Sequence, residues 1–83
     1  MYDVYLIFRS VTHGQEGKTI LNRAGISSSL TRSPSKLSQN GCAYALRIRP
    51  GDWTEAGGLL RRAGRMPQAV WLRQADGSFG RLE

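Results

Sequence analysis

The residue best suited by type to covalent chemistry is Cys42, the one cysteine of the chain. It stands where a polar run, Ser38-Gln39-Asn40-Gly41, meets an apolar one, Ala43-Tyr44-Ala45-Leu46. The reactive form of cysteine is the thiolate, and nearby positive charge favours it. Arg32, Lys36, Arg47 and Arg49 flank Cys42 in sequence and are the candidate contacts for an anion or a partner. Gly41 allows backbone conformations that turn amide N–H groups toward a sulfur anion. The competing reading is a structural thiol, since free cysteine is among the most buried residue types.

The other reactive types offer less. His13 is the single histidine, at the start of a predicted helix, and pairing it with Cys42 would require the fold to bring the two together. A surface histidine is the favoured reading. The carboxylates Asp3, Glu16, Asp52, Glu55, Asp76 and Glu83 form no close pair apart from Asp52 and Glu55, which helix capping explains. One cysteine and one histidine do not make a metal-ligand set, and the glycines follow neither phosphate-loop nor dinucleotide spacing. The expectation is a protein with no catalytic residues, no metal and no cofactor, and therefore not an enzyme.

The elements around Cys42 follow from patterning. Val4-Tyr5-Leu6-Ile7-Phe8 is β-branched and aromatic and reads as a buried first strand. Ser10 or Thr12 caps a helix, Thr12 and Gln15 having capping-box spacing. That helix carries Ile20, Leu21 and Ala24 as its core end and closes at Gly25. Its two internal glycines, Gly14 and Gly17, each cost about 1 kcal/mol relative to alanine, a cost that close packing on a sheet would offset. Ile26 to Arg32 reads as a second, more polar strand, broken by Ser33-Pro34-Ser35. Cys42 to Ile48 is the third strand, its Tyr44, Leu46 and Ile48 sharing one face with Cys42. After the turn Pro50-Gly51-Asp52, a helix capped by Asp52 and Glu55 runs to Ala63 and stops at Gly64. Ala69-Val70-Trp71-Leu72 is the fourth strand, and Asp76-Gly77 marks a turn.

This order, β-α-β-β-α-β, predicts a ferredoxin-like α+β fold with two helices on one face of an antiparallel sheet. The 83 residues suit a single domain, 1–83, with a short C-terminal hairpin or tail over 74–83. Twelve Lys and Arg against six Asp and Glu give a net charge of +6, which favours anionic partners. The longest apolar stretch, Val4 to Phe8, is far short of the roughly 20 residues that span a bilayer. The sequence opens directly on strand-like residues with no cationic leader, and one cysteine makes no internal disulfide, so the expected compartment is the reducing cytoplasm.

Several segments, taken in order, resemble the selenium/sulfur carrier-like family of small bacterial domains. They are Phe8-Arg9-Ser10-Val11-Thr12, Arg23-Ala24-Gly25-Ile26, Arg32-Ser33-Pro34-Ser35-Lys36-Leu37-Ser38 and Gly41-Cys42-Ala43-Tyr44-Ala45-Leu46-Arg47. The likeness covers roughly residues 4 to 60. Ala43 stands where the family often has glycine, and Gly41 precedes the cysteine. The resemblance implies that Cys42 carries sulfur or selenium as a persulfide-type species, supported by the loop Ser38, Gln39, Asn40, Gly41 and Ala43. It implies donor and acceptor proteins as partners; the shortness of the apolar runs gives the expectation of no membrane.

Two other readings stand beside it. One is a ferredoxin-like regulatory or interaction domain with a structural Cys42, able to form a homodimer through an exposed strand edge. The other, less favoured, is an RNA-binding domain in which Tyr5 and Tyr44 stack bases.

Overall fold

The computed structural model describes residues 3–32 and 44–82. The elements in chain order are β1 (Asp3–Phe8), α1 (Val11–Arg23), β2 (Ser29–Arg32), β3 (Tyr44–Ile48), α2 (Trp53–Arg62), β4 (Ala69–Arg73) and β5 (Phe79–Arg81). A single 3₁₀ turn, Pro50–Asp52, leads into α2. The strands form one antiparallel sheet in the order β2-β3-β1-β4-β5. The architecture is α+β and ferredoxin-like, two helices on a five-stranded sheet, with β5 extending the expected four strands.

The centre of the sheet is its most apolar strand. Val4 through Phe8 in β1 are all buried. Alternation sends Val4, Leu6 and Phe8 to the helix side, where they meet Leu46, Ile48 and Val70 from the neighbouring strands and Leu21, Ile26, Ala56 and Leu60 from the helical layer. Tyr5 and Ile7 point the other way and form a second cluster with Ala45. Helices cover one face, yet the central strand is dry on both.

The glycines of α1 set how closely that helix approaches. A Cβ on Gly17 would lie 3.0 Å from Phe8 Cζ and 3.3 Å from Leu46 Cδ1, both on buried side chains. Gly58 in α2 has nothing within 4 Å of such a Cβ. Alanine favours a helix over glycine by about 1 kcal/mol, so Gly58→Ala is expected to raise the unfolding free energy by roughly that amount. Gly17→Ala is expected to lower it, because overpacking against Phe8 and Leu46 outweighs the same helical gain. Urea denaturation of the two variants checks the opposite signs.

Both helices close in the same way. Gly25 at φ 81° lets its own N–H reach Asn22 O and the Ile26 N–H reach Leu21 O. Gly64 at φ 70° repeats this, with Gly64 N–H to Arg61 O and Arg65 N–H to Leu60 O. These are the paired bonds of a Schellman motif. They explain a correction to the expected second strand: Ile26 is taken by the helix end and the core, and β2 begins only at Ser29.

The first helix takes Ser10, one of its two expected caps, and the second differs from expectation. Ser10, extended at φ −147°, is the cap of α1, its Oγ accepting from the His13 N–H at 3.2 Å; Thr12 is already inside the helix. Asp52 precedes α2 but makes no capping bond, because the 3₁₀ turn holds it in a helical conformation and its carboxylate accepts from Arg49 Nε at 3.1 Å.

The C-terminal hairpin is shaped by Asp76, whose Oδ1 accepts from the Ser78 N–H at 2.9 Å and the Ser78 hydroxyl at 2.6 Å. These bonds, the hydroxyl's first, lower its pKa below the ordinary 3.8. A depressed carboxylate stabilises the fold above its unfolded pKa and loses that contribution as the pH falls through the folded value. The Asp76 carboxyl is therefore expected to titrate below 3.8 in an NMR pH series, and Ser78→Ala to move it upward.

Candidate functional site

Cys42 and its loop Ser38, Gln39, Asn40, Gly41 and Ala43, with Lys36, lie outside the described residues. Tyr44, two residues after Cys42, opens β3 and pairs with Phe8, the last residue of β1. Tyr44 therefore stands at the end of the sheet where β1 finishes and α1 starts.

That end is built from residues far apart in sequence. Gln68 N–H donates to Ile7 O at 2.8 Å, bringing the segment before β4 alongside the end of β1. Between them opens a cavity of about 340 Å³ lined by Phe8, Arg9, His13, Arg65, Met66 and Gln68 among others. The Ser10 hydroxyl and His13 Nδ1 are 2.7 Å apart, which fixes the imidazole against the start of α1. Arg65 Nε donates to Glu16 Oε2 at 3.3 Å, an ion pair exposed enough to contribute at most about 1 kcal/mol. The α1 N-terminus adds its partial positive charge. An anionic or acidic group fits this end electrostatically. His13 is exposed, as the surface reading expected.

The arginines expected near the cysteine are divided by the sheet. Arg32 pairs in register with Tyr44 and lies at the same end. Arg47, three residues along β3, is exposed opposite Tyr5 on the helix-free face. Arg49 follows the far end of β3, about 17 Å from Tyr44 along the strand, and its guanidinium is joined to Asp52. The structure thus brings Arg32 together with the start of β3 and leaves Arg47 and Arg49 elsewhere. Arg9 and Arg65, which neighbour that end, are distant from Cys42 in sequence.

Tyr5 and Tyr44 do not form a stacking pair. Tyr5 lies on the helix-free face, whereas Tyr44 shares the parity of Leu46 and Ile48 and faces α1, where a Cβ on Gly14 would come within 4.0 Å of Tyr44 Cβ. The pairing Phe8↔Tyr44 against Tyr5↔Arg47 fixes this opposition. Among the described residues no group of His, Cys, Asp and Glu is placed to hold a metal ion. No helix there is long and apolar enough to cross a membrane.

Fold and sheet end together define a small ferredoxin-like domain with a basic rim beside the strand that follows its only cysteine. The chain belongs to the family described as "Putative Se/S carrier protein-like", whose model matches residues 3–72. No curated protein and no solved structure matches it.

Proposed function

We propose that the protein carries a sulfur or selenium atom on Cys42 between a donor and an acceptor protein. The observation that carries this reading is the family match over residues 3–72, a span that includes the one cysteine of the chain. The basic sheet end next to β3 supports it, since the thiolate needs positive surroundings and a docking surface rather than an acid–base pair.

In the loading step the Cys42 thiolate attacks the outer sulfur of a donor persulfide. A new S–S bond forms on Cys42, the donor's S–S bond breaks, and the donor leaves as a thiolate with the electron pair. The transferred sulfur keeps its oxidation level, so no external oxidant or reductant takes part. Delivery is the same exchange in reverse, with an acceptor nucleophile taking the outer atom and Cys42 returning to thiolate. Selenium follows the same path as the outer atom. With no second cysteine in the chain, the persulfide cannot collapse into an internal disulfide, which suits a carrier better than a redox cycle. The protein is regenerated after each delivery and catalyses no conversion of its own; a reducing cytoplasm keeps its thiol available.

The test is the intact mass after incubation with a cysteine desulfurase and cysteine. The expected product is heavier by one sulfur, about 32 Da, and reverts on treatment with a reductant. The Cys42→Ser variant gains nothing. An unchanged mass, together with slow alkylation of the thiol, would instead leave a ferredoxin-like interaction domain with a structural cysteine.

A further inference from the structure

The helix-free face of the sheet is a second functional candidate, independent of Cys42. Register places Arg47, Tyr5, Trp71 and Arg81 in one continuous row across β3, β1, β4 and β5. The next row on the β4–β5 side pairs Arg73 with Phe79. Tyr5, Ile7 and Ala45 form the closed floor of this face, and Trp71 and Phe79 sit on it half-buried. Phe79 is held edge-on by Tyr5 with centroids 5.7 Å apart and planes at 69°, and the Arg81 guanidinium lies 5.7 Å from the Trp71 ring centroid. Arg47 and Arg73 are exposed and make no hydrogen bond or ion pair with the described residues.

A solvated sheet face normally alternates toward polar side chains. Here it presents anchored aromatic rings between exposed arginines. We propose that this face binds single-stranded nucleic acid, bases packing on Trp71 and Phe79 and phosphates meeting Arg47, Arg73 and Arg81. Charge selects this occupant. The chain carries a net +6, and a second copy would bring three like-charged arginines against three. A polyanion with stackable bases satisfies both the rings and the guanidinium groups, whereas an acidic polypeptide satisfies only the latter. Duplexes hide their base faces and leave the rings without partners.

The experiment follows the fluorescence anisotropy of a labelled short oligouridylate titrated with the full chain at two salt concentrations. Binding is expected to weaken with salt, with a log–log slope near −2 for about three phosphates neutralised. Arg47→Glu is expected to weaken it about tenfold or more, and Trp71→Ala by a similar factor. Arg23→Glu makes the same charge change on the exposed end of α1 and is expected to leave most of the affinity. Cys42→Ser is expected to bind as the parent does, which separates this proposal from the carrier reading. Arg47→Glu replaces an exposed side chain, so the result stands even if Trp71→Ala fails to fold. No binding, equal losses in Arg23→Glu and Arg47→Glu, or polyglutamate or inorganic polyphosphate competing as well as the oligonucleotide would each overturn it. So would a homodimer that Arg47→Glu dissociates.

Discussion

Leu6→Ala is expected to lower the unfolding free energy by about 2–5 kcal/mol, the range for removing a buried leucine from a packed core. Leu6 sits at the middle of the central strand, fully buried, and its register partners are Leu46 on one side and Val70 on the other. Both neighbours are themselves sealed, so the cavity cannot be filled by a side chain swinging in from the surface. A domain of this size has roughly 5–15 kcal/mol of stability at best, and each kcal/mol moves the midpoint by roughly 4–8 °C. Thermal unfolding followed by circular dichroism should therefore show a drop on the order of 10 °C or more. A drop of only a degree or two would mean that β1 is not the shared spine of the sheet.

Cys42→Ser is expected to abolish cargo transfer while leaving the fold as it is. Serine and cysteine are nearly the same size, so the helix-side cluster around Val4, Leu6, Phe8, Leu21, Leu46 and Leu60 is expected to pack as it does in the parent. The substitution replaces sulfur by oxygen, and a serine hydroxyl neither ionises near neutral pH nor accepts a sulfane sulfur. Loading should fall to background, with the thermal midpoint within a few degrees of the parent's. Delivery from preloaded protein to a small-molecule thiol should follow the same dependence. Residual loading of the serine variant would move the chemistry off the cysteine.

The strand and helix positions were legible where local chemistry decides them. Val4–Phe8 announced a buried strand because five β-branched, aliphatic and aromatic residues run without interruption. Gly25 and Gly64 announced two helix ends because left-handed backbone there needs glycine. Gly17 announced close packing, and Phe8 and Leu46 are what it packs against. The misplaced boundaries arose where tertiary contacts compete with local preference, as when the core claims Ile26 from a Ser/Thr-rich stretch that otherwise reads as strand.

The candidate site was legible in residue type but not in neighbourhood. Cys42 stood out as the one thiol, and sequence proximity then suggested Arg47 and Arg49 as its electrostatic company. A strand carries residues away from their sequence neighbours at about 3.4 Å per step, which takes Arg49 to the opposite end and into its pair with Asp52. Arg9, Arg65 and Gln68 share the end of the sheet at which β3 starts only through the β1–β3 and β1–β4 pairings. The aromatic face was missed for the same reason. Tyr5 was paired with Tyr44 instead, and only cross-strand register puts Trp71 and Phe79 beside it.

Peptide mapping after loading tests the carrier role most directly. Trypsin cuts after Lys36 and Arg47, releasing residues 37–47 as the peptide that holds Cys42. After incubation with a desulfurase and cysteine, and under conditions that preserve persulfides, that peptide should gain one sulfur, about 32 Da, and lose it when an acceptor thiol is added. A peptide that stays at its unmodified mass while the donor is demonstrably charged with persulfide would contradict the account.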